Sequence, residues 1–316
     1  AAGTGRAQRV RRAGLVAGTA VGLAVVLVFA VTTHRFLTWT NVKAIFNSAS
    51  LVGIMALGLT FITLVGGVAS LAVAQTAVVA AMVFLGMLGL GLVPALVLAI
   101  AVGAAITAIQ GVLIGAWNAN PVILTIGAGF LIDGFAQDVN SGKIVQPAGG
   151  GFSTLNATPA GIPVAVYVMV LLALVLQYVL RRTVLGRYVF LVGTNRAAAR
   201  AAGVPVARVV IAAFALAGVG FATGGAFLGA FNAGASTYLE GTLTFDVIAA
   251  VLVGGTSVAG GHGSTLRTLG GALVIAAISD LLLLRGFGTG AQVLFKGLLV
   301  TIVVIATQAR MRREAP

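Results

Sequence analysis

Between Ala44 and Ile132 the chain carries no Asp, Glu, Lys or Arg, a run of 89 residues. Average soluble domains place a charge at roughly one position in four, so water cannot be the solvent of this segment. At roughly 20 residues per crossing, it holds three membrane spans and part of a fourth. The rest of the chain agrees: 59% of residues are hydrophobic, 8% are charged, and mean hydropathy is +1.12. Such a composition cannot clothe a soluble enzyme. Cysteine is absent, which removes disulfides, thiolate catalysis and cysteine-based metal sites. The two histidines, His34 and His262, are too far apart in sequence to suggest a metal cage.

The charges that remain are mostly positive: 19 Lys+Arg against 6 Asp+Glu, for a net charge of +13. Nucleic-acid binders spread cations over one polar face with aromatics between them. Here the cations form short clusters between apolar runs, as the positive-inside rule requires of a membrane protein. Ten spans with a cytoplasmic N-terminus put residues 6–12, 181–208, 260–267 and 310–316 on one side. Those segments hold 14 of the 19 cations. Arg35, Lys43, Lys143 and Arg285 fall on the other side, and Lys296 falls inside a span. The expected architecture is therefore all-α and polytopic, a single membrane domain of about ten helices with both termini cytoplasmic.

Without charges, the punctuation must come from Gly, Pro and Asn. An uncleaved first span covers 13–31. Gly66-Gly67, then Gly89, Gly91 and Pro94, then Trp117 to Pro121 break the uncharged run, which leaves room for a broken or re-entrant helix. Residues 140–161 are rich in Gly, Ser, Thr and Pro and form the external loop. Further spans are expected over 162–180, 208–231, 245–259, 265–284 and 289–309. Residues 181–208 form the main cytoplasmic loop, and the tail is 310–316.

The 44 glycines include pairs four apart at Gly14/Gly18/Gly22, Gly111/Gly115, Gly220/Gly224 and Gly225/Gly229. Such pairs let helices approach closely in lipid, although about six arise by chance at this glycine frequency. They indicate tight packing and assign no site. Asp280 and Lys296 lie inside spans, where charge is costly and tends to mark a pathway or a pair. They could pair with each other, or snorkel to the outer interface. No lysine occurs as Gly-Lys-Ser/Thr, so the chain has no Walker A loop. The turn of Gly260, Gly261, His262 and Gly263 before Ser264 could be an anion nest. A tight cytoplasmic turn between spans explains it as well.

Two longer segments are distinctive: LGRYVFLVGTNRAAARAAGV over 185–204 and FDVIAAVLVGGTSVAGGHGS over 245–264. Both resemble the permease subunits of bacterial ABC importers for ribose and related monosaccharides. Weaker matches are ALGLTF at 56–61 and PVILTIG at 121–127. By that resemblance, residues 194–203 form the coupling helix that docks on an ATPase, with Thr194, Asn195, Arg196, Ala199, Arg200 and Gly203 as its contacts. The residues fit a short helix on their own account. Asn195 is a good N-cap, 196–202 are Ala/Arg helix formers, and Gly203 precedes Pro205 as a C-terminal stop. A helix resting on anionic lipid would look the same.

The resemblance implies that ATP and Mg bind partner ATPase subunits, with no cofactor in this chain. It also implies an extracytoplasmic sugar-binding protein and a second permease copy, identical or paralogous, in the membrane lipid; nucleic acid has no part. Ser279 and Asp280 match a position where relatives carry Asn, suited to hydrogen-bonding hydroxyls. Phe227 and Phe231 could narrow the pathway or serve as packing. One departure stands out. Relatives carry G-G-I-D-L-S-V-G after the second span, and this chain reads GGVASLAVAQ over 66–75, with Ala69 or Ser70 in place of the acid. A second permease that keeps the motif, or divergence within a homodimer, would both explain it. Related permeases serve branched-chain amino acids or nucleosides. The rival class, an ion-coupled secondary transporter, would need an ion site that only Asp280 and Lys296 could begin to supply. A polytopic membrane enzyme would need ionisable groups clustered at one depth, and six scattered acids do not provide them.

Overall fold

The computed structural model describes residues 36–66, 69–239 and 241–314, and these are almost wholly helical. Apolar segments in lipid must satisfy their backbone hydrogen bonds internally, so helices follow from the composition. The elements are α1 (Trp39–Leu64), α2 (Val73–Gly86), α3 (Leu92–Gly115), α4 (Pro121–Asn140), α5 (Val164–Arg182), α6 (Val184–Thr194), α7 (Arg196–Ala201), α8 (Val206–Asn232), α9 (Leu243–Val253), α10 (Thr265–Leu284) and α11 (Thr289–Glu314). The expected first span over 13–31 lies outside the described residues.

Six helices, α1, α3, α4, α5, α8 and α10, are long and apolar enough to cross a membrane. The breaks within the uncharged run fall where Gly, Pro and Asn lie. Gly66 adopts φ +79° after α1. The Asn120 side chain caps α4, accepting from the Val122 amide at 3.0 Å, with Pro121 at the first helical position. The run thus holds four helices. One of them, α2, has 14 residues and is about 21 Å long.

The span expected over 245–259 is a different object. The helix α9 has only 11 residues, about 16 Å, roughly half a bilayer core. Gly254, then Gly255 at φ +77°, end it, and residues 254–264 continue as a non-helical loop. Valine and alanine on both sides of those glycines keep the hydropathy high, which made the half-helix read as a span.

The packing repeats. One unit is α1 to α4 and the other is α8 to α11. Each runs long helix, short helix, long helix, then a peripheral helix. The helices α1 and α8 pack against each other at the centre; α2 and α3 lie on α8, while α9 and α10 lie on α1. Contacts Gly58 to Gly220 and Met55 to Gly224 show α1 and α8 antiparallel, so the units are inverted with respect to one another. The approach at the crossing depends on glycine. A Cβ on Gly58 would sit 2.6 Å from the Ala217 carbonyl oxygen, and one on Gly220 would sit 2.9 Å from Gly58 Cα. Gly111 and Gly115 seat α3 on α8 in the same way, and Gly225 and Gly229 seat α2. Gly14, Gly18 and Gly22 lie outside the described residues.

Residues 140–161 form an irregular segment with short 3-10 turns at Phe152–Asn156 and Pro159–Gly161. A single antiparallel bridge, Val145 to Ala235, ties it to the loop after α8. Asn156 Nδ2 donates to the Ala230 carbonyl at 2.7 Å. This end of the bundle carries Lys43, Lys143 and Arg285; the other end carries Arg181, Arg182, Arg187, Arg196, Arg200, Arg208 and Arg267 and is called the basic end below.

Candidate functional site

At the basic end, two separate sequence motifs become one site. The helix α6 ends at Thr194, and α7 follows after one residue. The expected helix over 194–203 is a six-residue helix, with Thr194 closing α6 and Asn195 as the cap. Asn195 Oδ1 accepts from the Ala198 amide at 3.0 Å. The C-terminus closes by paired bonds, Gly203 N to Arg200 O and Val204 N to Ala199 O, both at 3.0 Å. Gly203 takes φ +77°, as this ending requires. Ala199 and Val204 are buried beneath the turn. The helix is therefore fixed at both ends despite its length.

Its anchor is a junction of backbones. Gly193 lies against the Leu64 carbonyl at the end of α1, so close that any Cβ there would collide with that oxygen. The Gly261 amide donates to the same Leu64 carbonyl at 2.9 Å. A Cβ on Gly261 would stand 2.6 Å from Thr194 Oγ1, and one on Gly260 would stand 2.7 Å from Gly66 Cα. Thr194 and the turn of Gly260, Gly261, His262 and Gly263 thus form one contact. Here backbone meets backbone, with no side chain between to absorb displacement. The turn is closed by its own bonds, Ser257 N to His262 O at 2.8 Å and Gly260 N to Ser257 O at 3.1 Å. Its conformation is accounted for as a tight turn; Gly260 and Gly261 are buried and His262 is exposed. Beneath it, Gln177 Oε1 accepts from Thr265 Oγ1 at 2.7 Å and Ser264 Oγ at 3.2 Å, and the Thr60 and Thr268 hydroxyls meet at 2.9 Å.

Arg200 is exposed, whereas Arg196 is half-buried, and its Nη2 is enclosed without a hydrogen-bond partner among the described residues. Burial holds the Arg196 guanidinium below its ordinary pKa, and the Arg200 charge lowers it further. An unpaired, partly desolvated cation on an outward-facing helix suits a carboxylate from another molecule.

Of the two alternatives for Asp280 and Lys296, pairing with each other is not seen. Lys296 Nζ lies 2.7 Å from Asp246 Oδ1, not against Asp280. Asp246 stands in the first turn of α9, where a carboxylate offsets the positive end of the helix dipole, and Thr242 Oγ1 donates to its Oδ2 at 3.0 Å. Asp280 instead accepts from Asn41 Nδ2 at 2.6 Å. Asp246, the acidic residue of the apolar segment and placed in the first turn of α9, was the signal for a helix start there. Ser279 donates to its own helix at Ile275 O, 2.9 Å away. Phe227 is buried in the core, while Phe231 is exposed at the end opposite the basic one.

The segment that departs from the family motif leads into α2. Gly67 and Val68 lie outside the described residues. Ala69 is half-buried and Ser70 buried. Amides of this segment find hydroxyl partners, the Ala72 amide donating to Ser70 Oγ at 3.4 Å. The Leu71 amide donates to Thr125 Oγ1 and the Ala74 amide to Thr244 Oγ1, each at 3.2 Å. Thr244 lies in the first turn of α9, so the starts of the two short helices meet inside the bundle.

An inverted pair of helical units, each with one short helix, is an architecture that many membrane transporters share. The chain belongs to the family described as the permease component of branched-chain amino acid transport systems, whose model matches residues 41–307. It is 31% identical over 296 residues to the ribose import permease protein RbsC of Escherichia coli K12, covering 90% of each chain. It is 31% identical to RbsC of Bacillus subtilis 168 over 89% of this chain and 88% of that one. It is 29% identical to the L-arabinose ABC transporter permease protein AraH of Azospirillum brasilense, over 97% and 90%. No solved structure matches. The chain is therefore a multi-pass transporter subunit.

Proposed function

We propose that this chain is the membrane-spanning subunit of an ATP-driven importer for a monosaccharide or a similar small polyhydroxylated solute. The names of its relatives, for ribose and arabinose, support the sugar over the branched-chain amino acid of the family description. The observation that carries the mechanism is the capped helix α7, held by backbone contact to Leu64 and Gly261 and bearing Arg196, whose Nη2 has no hydrogen-bond partner among the described residues. The basic end is the cytoplasmic end by the positive-inside rule. ABC ATPase subunits dock there, bind ATP and Mg, and pass their closure through Gly193 and Gly261 to α1 and α9. A second permease copy or paralogue completes the pathway, and an extracytoplasmic binding protein delivers the solute. Counting the segment 13–31, the short α2 and α9, and α11 with the six long helices gives ten crossings, with both termini cytoplasmic in the bacterial inner membrane. Nothing in the chain is assigned to a cofactor.

The test is tagged purification from native membranes followed by vanadate-sensitive ATPase assay, with ribose-, arabinose- and leucine-loaded binding proteins as stimulants. A co-purifying ATPase stimulated by a sugar-loaded protein is the expected result. Absence of any nucleotide-binding subunit under mild conditions would overturn the reading, and stimulation by leucine alone would overturn the substrate class.

A further inference from the structure

A pocket of about 700 Å³ opens at the basic end, lined by Gly115, Ala116 and Asn118 after α3, by Arg200 of α7, and by Pro205 to Arg208 at the start of α8. We propose that it holds the headgroup of an anionic phospholipid from the cytoplasmic leaflet. Its depth supports this. Gly115 ends one membrane-crossing helix and Val206 begins another, so the pocket lies at the level of headgroups rather than in hydrocarbon or beyond the surface. Trp117, between two lining residues, is 76% exposed, the interfacial setting of that side chain.

Charge supports it too. Two arginines face the cavity and no carboxylate lines it. Guanidinium groups bind phosphate through paired donors, and basic pockets between membrane helices on this side select anionic headgroups. The volume lies within the range of small-molecule sites. The position also has a consequence. Arg200 belongs to α7 and Arg208 to α8, so a bound phosphate would bridge the coupling helix to the central helix it precedes. A lipid, free phosphate and a carboxylate of the ATPase share the chemistry that two arginines recognise. The depth favours the lipid.

The experiment uses the full complex in nanodiscs of phosphatidylcholine, with and without phosphatidylglycerol. It reads retained lipid by native mass spectrometry and thermal stability by melting. Wild type should retain phosphatidylglycerol and melt higher in its presence. Arg208→Gln should weaken retention about fivefold, Arg208→Lys should restore most of it, and both should keep the ATPase bound. Equal retention in wild type and Arg208→Gln would overturn the proposal. So would an equal gain in melting from inorganic phosphate in phosphatidylcholine discs, which marks a soluble-anion site. So would loss of the ATPase from Arg208→Gln with lipid retention unchanged, which marks a subunit contact. If no ATPase accompanies the wild type yet retention depends on Arg208, the lipid site stands and the importer reading falls.

Discussion

Removing Lys296 tests how α9 is held in the membrane. The Asp246 and Lys296 side chains are 14% and 11% exposed and their charged atoms are 2.7 Å apart. At that burial the pair is not the surface kind, worth about 0–1 kcal/mol. Lys296→Met leaves a carboxylate with only the Thr242 hydroxyl and the start of α9 to offset it. Stranding one buried charge costs about 3–5 kcal/mol. The remaining hydroxyl bond and the helix dipole place this case near the lower figure, about 3 kcal/mol, which lowers melting by roughly 4–5 °C for a chain of 316 residues. The double variant Lys296→Met/Asp246→Asn strands no charge and should recover most of that loss. Pairing Lys296→Met with Asp280→Asn should give simple additivity, because Asp280 bonds to Asn41 instead. Melting in nanodiscs and sugar uptake in proteoliposomes are the readouts. A wild-type melting temperature for Lys296→Met, or no recovery in the double variant, would refute the account of α9 as a half-helix held by this pair.

The coupling site gives sharper functional expectations. Gly193→Ala places a methyl against the Leu64 carbonyl, and neither backbone can yield. Uptake should fall at least tenfold while ATPase subunits still co-purify, and normal uptake would remove the junction from the transmission route. Arg196→Gln should loosen the ATPase by about tenfold in pull-down, the loss of one charge-assisted bond, yet leave the free permease as stable or more so, because the lowered pKa marks an unfavourable charge there. That cost applies wherever Arg196 is protonated and ends only above its folded pKa, so stability should show no Arg196-dependent change between about pH 5 and 9. Gln110, 3% exposed on α3 with neither amide atom bonded among the described residues, should tolerate Gln110→Met with a gain of about 1 kcal/mol; a loss of melting temperature would reveal a bonding partner.

Much of this was legible because lipid leaves few ways to interrupt a helix. Gly66, Gly91 and Pro121 mark breaks because glycine, proline and asparagine are the residue types in the uncharged run that end a helix cheaply. Asn195 and Gly203 were legible for the same local reason: cap chemistry acts over three or four residues. What stayed hidden acts over longer distances. That Thr194 would meet Gly261 depends on how α6 folds back on α1, and no local pattern encodes it. Lys296 had two carboxylates within reach of its helix, and hydropathy cannot choose between Asp246 and Asp280. The inverted repeat left a trace in the short segments at 73–86 and 243–253, each following a long apolar run. Reading it would have required comparing the two halves rather than scanning spans one at a time.

The repeat also explains why the junction sits where it does. In each unit the short helix adjoins an irregular segment, and irregular backbone near lipid is tolerated only when buried in protein. The segment before α2 is covered by Thr125 and Thr244, and the loop after α9 by Leu64, Gly193 and Thr194. The second covering comes from the stretch that leads into α7. A displacement of α7 therefore acts on the loop that ends a half-helix, and α9 is tied to α11 by the Asp246–Lys296 pair. A parallel route runs through Gly203 and Pro205 into α8, whose glycine contacts bind α1, α2 and α3 into one packed body. Both routes begin at a six-residue helix, and both run through close contacts that shift as units rather than bend. On the proposed reading, coupling would depend less on the identity of the side chains facing an ATPase than on the absence of side chains behind them.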